Sequence, residues 1–245
     1  MRHETPGCDL FAGKPSVSAY HNIMAVETIK ENVYLQTHDL SIMGCKMGRN
    51  VTVITLQSGN TLIHSTADFS ELHIAEIREL GEPGLLCEAT NFHDTSAMAG
   101  RISFPKIPYL VPQGFPAADK LDATEIDSFE FADDEVEVIK IQGIPKLNEI
   151  CVFHRPSGTL IIADLFFNLP DDVGNWTKWF LKTAMKIKSY PGQSAFFQRY
   201  VEDEAAYRDS LDQIMELDFK TIIPGHGTPI LNDAKAAFKS VLLSG

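Results

Sequence analysis

Apolar and polar residues change period twice along this chain, and the changes mark out its elements. Between residues 32 and 65 the apolar runs are short: Val33-Tyr34-Leu35, then 51–56, then 61–64. Runs of this length bounded by polar turns predict strands, and Gln57-Ser58-Gly59-Asn60 has the composition of a tight hairpin turn. An antiparallel meander is expected there. From Asp68 the spacing becomes helical: Ile74, Ile77 and Leu80 fall on one face, Asp68 and Glu71 are spaced as a capping box, and Gly81 supplies a left-handed stop. Residues 84–90 then form a compact apolar run, read as a buried strand that ends in the polar loop 91–96.

Strand patterns return at 109–111, 135–141, 149–153 and 159–163, the last two joined by the turn His154-Arg155-Pro156-Ser157-Gly158, which places His154 toward solvent. The last third is helical, with helices expected over 176–188, 201–217 and 232–243. Tyr207, Leu211, Ile214 and Leu217 make one stripe; Ala234, Ala237, Phe238 and Val241 make another. Between these two helices a strand, Thr221-Ile222-Ile223, runs into Pro224-Gly225-His226-Gly227. Strands first and striped helices later predict mixed sheets with helices packed outside them.

The chain has 245 residues, 44% of them hydrophobic and 22% charged, which suits one domain with a sizeable core and an irregular segment over 1–30. A net charge of −12 argues against a nucleic-acid partner, since phosphate binding needs a clustered positive surface. Cys8, Cys45, Cys87 and Cys151 stand far apart and are read as reduced thiols. No signal peptide and no bilayer-length apolar stretch is visible, so a cytoplasmic protein without a membrane partner is expected. Lys178, Lys182 and Lys186 form a stripe beside Trp176, Trp179 and Phe180. This stripe could bind an anionic ligand or a membrane surface, but it is read as a solvated face over core-facing aromatics.

Three polar residues share one setting, the C-terminal end of an apolar strand: His93, Asp164 and His226. Ligand sites in α/β folds gather at such ends. Glycines on both sides of His226 let the backbone turn sharply and bring an imidazole into a crowded centre. His3, His21, His38 and His73 have no supporting neighbours and are assigned no role. No G-x-G-x-x-G or G-x-x-x-x-G-K-[ST] segment occurs, which ranks nucleotide binding last.

The order of hairpin, helix, strand with a His-containing loop, the strand pair ending in Gly158-Thr-Leu-Ile-Ile-Ala-Asp164, and the terminal Ile222-Ile-Pro-Gly-His226-Gly resembles the metallo-β-lactamase superfamily. The resemblance implies an α/β four-layer αββα sandwich, two mixed sheets flanked by helices, holding one or two zinc, iron or manganese ions. The family's T-H-x-H-x-D-H motif falls on Thr90-Asn91-Phe92-His93-Asp94-Thr95-Ser96. There Asn91, Thr95 and Ser96 replace three ligands and only His93 is kept; Ile144 replaces the histidine that follows a glycine. Asp164 falls on the bridging aspartate and His226 on the final histidine.

The resemblance therefore implies a hydrolase-like protein with most metal ligands lost. It would be weakly active or non-catalytic and would bind a small molecule or partner in the former cleft, among His64, Asn91, Asp94 and Ser96, with no catalytic residue assigned. Its cofactor is none, or one weakly bound divalent metal on His93, Asp164 and His226. The alternative is a hydrolase with a rebuilt single-metal site on the same three residues, aided by Asp94 or His64.

Overall fold

A computed structural model describes residues 26–131, 134–170, 173–187 and 189–243. His3, Cys8 and His21 lie outside them. Strands β1 (Glu27–Lys30), β2 (Val33–His38), the short pair β3 (Ser41–Ile42) and β4 (Cys45–Lys46), β5 (Arg49–Thr55) and β6 (Asn60–His64) open the fold. Helix α1 (Glu71–Leu80), β7 (Glu82–Cys87), α2 (Ala97–Ser103), β8 (Tyr109–Val111), α3 (Ala118–Leu121) and β9 (Thr124–Glu125) follow. Next come β10 (Val136–Lys140), β11 (Ile150–His154) and β12 (Thr159–Ile161). Helices α4 (Asn175–Thr183), α5 (Ala195–Gln198) and α6 (Glu204–Glu216), strand β13 (Thr221–Ile223) and helix α7 (Ala234–Leu242) complete it.

One sheet has the order β1-β2-β5-β6-β7-β8-β9, antiparallel as far as β6 and parallel beyond it. The other has the order β10-β11-β12-β13, and only its last pair is parallel. Both sheets are mixed, as the meander and the later strands lead one to expect. Alternation along each strand builds the layers. Ile54 and Leu62 of the first sheet meet Val152, Ile161 and Ile223 of the second in one apolar layer. The neighbours Val53 and Ile63 point the other way, onto Ile77 of α1, while Phe153, Leu160 and Ile222 point onto Leu211 and Ile214 of α6 and Phe238 of α7. Strands buried on both faces read as continuous apolar runs for this reason.

Several local expectations shift. Ser70, not Asp68, caps α1: its hydroxyl accepts from His73 N, and His73 Nδ1 accepts from Ser70 N. His73 thus has a structural duty, and its ring packs edge-on against that of His38. Gly81 ends the helix with φ 157° and ψ 171°, a positive φ that favours glycine but not the compact left-handed turn expected. A Cβ there would lie 2.6 Å from Gly59 O, so the hairpin turn itself excludes a side chain. Residues 27–30, expected to be irregular, form β1. Helix α4 stops at Thr183 and not at 188, because Lys186 takes a positive φ of 53°.

His154 is 1% exposed and does not face solvent; it is the last residue of β11, paired with Val136 and Thr159, and its Nδ1 lies 2.8 Å from Ser157 Oγ. Cys45, Cys87 and Cys151 are buried free thiols. No helix among the described residues is long and apolar enough to cross a membrane.

Candidate functional site

Each of the three strand-end residues is held by a different device. His93 sits after β7 in a loop pinned to the second sheet's side, where Asn91 N and Thr90 Oγ1 both donate to Leu147 O. Asp164 follows β12 in a loop gathered around the fully buried Glu149, whose carboxylate accepts the backbone N–H groups of Ala163, Asp164 and Leu165 at 2.9, 3.1 and 3.1 Å. His226 lies in a loop clamped by Asn50. That residue donates through its backbone to Gly225 O (2.9 Å) and through Nδ2 to Pro224 O (2.8 Å) and Gly227 O (2.7 Å). Gly225 packs closely, since a Cβ there would lie 3.0 Å from Ala163 Cα and 3.2 Å from His93 Cε1 and would press both back.

These devices bring the three residues together. His93 Nε2 lies 3.5 Å and His226 Nε2 lies 3.4 Å from Asp164 Oδ1, and one ligand atom from each residue falls within 4.8 Å of the others. Because a carbonyl can only accept, the 2.6 Å contact of His226 Nδ1 with Gly48 O fixes the proton on Nδ1. Nε2 of a neutral His226 therefore turns a lone pair to the cleft, the arrangement that metal-binding histidines use. Burial, then the charge of Arg49, pushes His93 down to about 4, so its ring is neutral at neutral pH. Burial would raise the Asp164 carboxyl, but the two imidazoles hold it below the usual carboxylate range. Lone pairs and a carboxylate converging on one point suit a single cation. The donor set, two imidazoles and one carboxylate, fits zinc, iron or manganese.

The three residues line a cleft of about 850 Å³, with Arg49 and the side chains of Met47, Phe167, Phe180, Met185 and Phe196 among its walls. Of the other residues expected there, Asn91 and Asp94 line the cleft and Ser96 and His64 do not. Ser96 leads into α2. His64 is paired within the first sheet, and Ser65, at φ 72°, turns the chain so that Ser65 Oγ approaches His93 Nδ1 (3.4 Å). Burial, then His93, lowers His64 to about 3. Thr95 lines the cleft. Ile144 is turned into the core beneath α6, because Gly143 packs against the start of that helix.

Arg49 is the main residue that sequence reading passes over. It is 4% exposed and makes no ion pair among the described residues; its guanidinium donates to Thr66 O (3.3 Å) and, at 3.5 Å, to Ser65 Oγ and His93 O. Its Nε has no partner. Glu88, fully buried, accepts from Tyr109 OH (2.6 Å) and Thr66 Oγ1, and burial raises its carboxyl to about 7. Arg49, Glu88 and Glu149 share one signal: each abuts an apolar run that becomes a strand buried on both faces.

No protein-family model and no curated protein sequence matches the chain. Solved structures do. The DIM-1 metallo-β-lactamase is 19% identical with a TM-score of 0.59, over 88% of this chain and 94% of that one. The FIM-1 metallo-β-lactamase from Pseudomonas aeruginosa, in its mono-zinc form, is 13% identical with a TM-score of 0.56, over 88% and 91%. A fragment of diflavin flavoprotein A 5 from Nostoc sp. PCC 7120 is 14% identical with a TM-score of 0.58, over 88% and 92%.

Proposed function

We propose, from the premise that this chain has the metallo-β-lactamase fold, that it is a divergent superfamily member that binds a small molecule in the former active-site cleft and is weakly active or non-catalytic. One observation carries this reading: a buried guanidinium that is in no ion pair among the described residues, Arg49, lines the cleft in which Asn91 and Thr95 occupy ligand positions. A fixed positive charge in the cleft wall opposes two divalent ions and favours an anion. The walls are apolar, so the favoured ligand is amphipathic, with an apolar body and a carboxylate or phosphate head. Calorimetric titration with a medium-chain carboxylate and with the matching alcohol tests this. Tighter binding of the acid, lost in Arg49→Met, is expected; equal affinities would overturn it.

A second reading rests on the convergence of His93, Asp164 and His226 within 4.8 Å. Together they would hold one divalent ion, which when bound would polarise water or the ligand's head group. The neighbouring Arg49 makes that ion weakly held. Elemental analysis after purification without chelators separates the readings: no ion favours the first, one ion per chain favours the second, and two fully occupied ions would overturn the degenerate-site reading.

A further inference from the structure

The sequence places Trp176 and Trp179 on a core-facing stripe, and the solvated-face reading of the neighbouring lysines depends on that placement. The structure turns them outward. Trp176 is 52% and Trp179 is 54% exposed, their rings stacked at 5.0 Å, because α4 buries Thr177 and Leu181 instead. Thr177 is drawn inward by a hydrogen bond: its Oγ1 accepts from Lys46 N of β4 at 3.1 Å. Trp176 is fixed as well, donating through Nε1 to Met43 O (3.1 Å). Met43, at the tip of the β3–β4 hairpin, is 77% exposed, and Ile42 beside it is also exposed. Four large apolar side chains thus form one outward patch, with the indole N–H of Trp176 satisfied.

The segment that carries these rings is also basic. Residues 173–201 contain four lysines and one arginine and no aspartate or glutamate, in a chain whose net charge is −12. Lys178, Lys182 and Lys186 are exposed, and among the described residues none of them is in an ion pair. A stacked tryptophan pair flanked by unpaired lysines has the chemistry of an interfacial anchor: the rings enter the headgroup layer and the ammonium groups meet anionic lipid. A nucleic acid would want the positive charge without the aliphatic tip of Met43 and Ile42. The patch also adjoins the cleft, since Ile42, Met43, Phe180 and Phe196 line it.

We propose that the face formed by the β3–β4 hairpin and α4 docks on an anionic membrane surface, with Trp176, Trp179 and Met43 inserted and Lys178 and Lys182 on the headgroups. Docked in this way, the cleft mouth opens toward lipid. The proposal stands whether or not the cleft binds the amphipathic ligand argued above.

The chain has only two tryptophans, both in the patch, so selectively excited tryptophan emission reports on this face alone. Titrating the full chain with phosphatidylglycerol-containing vesicles should shift the emission to the blue and carry the protein into the vesicle pellet, whereas pure phosphatidylcholine vesicles should do neither. Lys178→Glu with Lys182→Glu should weaken pelleting by roughly tenfold or more, and raised salt should do the same. Met43→Ser, at an exposed tip, keeps the fluorophores and should reduce the blue shift. Unchanged emission and no pelleting at low salt would overturn the proposal. So would a blue shift that depends on protein concentration without vesicles, which would assign the patch to a second copy of the chain.

Discussion

His226 Nδ1 lies 2.6 Å from the carbonyl oxygen of Gly48, and that contact decides what the ring's other nitrogen can do. With a proton held at Nδ1, Nε2 is the nitrogen that faces Asp164 Oδ1 at 3.4 Å, where a proton or a cation would join the two. Zinc should therefore raise the melting temperature of the chelator-treated protein, by an amount equivalent to about 2.7 kcal/mol at a hundred times the dissociation constant. Asp164→Ala should abolish the shift. Scanning calorimetry with and without zinc checks this, and no shift in the wild type would leave the cleft without an ion.

Arg49→Met is expected to behave unlike most substitutions of a buried charge. Methionine keeps much of the volume and removes a buried cation that is in no ion pair among the described residues, so stability should hold or rise. Zinc affinity should increase and binding of a carboxylate ligand should fall. Urea unfolding together with the two titrations measures all three, and a loss of several kcal/mol would show that the guanidinium is structural.

Glu149 acts through position. Glu149→Ala strips the acceptor from three N–H groups, two of them buried and each of those costing about 1–3 kcal/mol when left unmet, so a loss of at least about 2 kcal/mol is expected in urea unfolding. Glu149→Gln keeps one carbonyl oxygen and should lose less. Equal losses in the two variants would contradict this.

Glu88 sets a pH dependence. Burial raises its carboxyl from 4.5 to about 7, so the folded chain holds this proton more tightly than the unfolded chain. Its contribution is full below 4.5 and is lost as pH rises through about 7. Glu88→Gln should flatten stability against pH across that window. Denaturant midpoints at several pH values test it, and parallel curves for wild type and variant would refute it.

The sheets were legible because Val53-Ile54, Leu62-Ile63 and Ile222-Ile223 each feed two apolar layers, and such strands must be apolar on both faces. His93, Asp164 and His226 were legible because strand ends point to one rim. His64 misleads by one residue: the left-handed turn at Ser65 decides which side chain meets His93, and nothing in the local spacing marks it. Trp176 and Trp179 mislead for a longer-range reason, since the rotation of α4 is set by a hydrogen bond to Lys46, 131 residues away. Buried charges such as Arg49 and Glu149 are settled by the whole fold, and a sequence shows only that they abut strands.

Asn50 belongs to β5 of the first sheet, yet it grips the His226 loop that leaves β13 of the second. His226 returns the grip on Gly48, and Gly225 seats against His93 and Ala163. The rim where chemistry would occur is thus also a seam that laces one half of the sandwich to the other. Amide exchange along β5 and β13 should quicken together when Asn50 is replaced by alanine. A chain built this way can abandon turnover and still be obliged to keep its imidazole, because the stitch outlives the reaction.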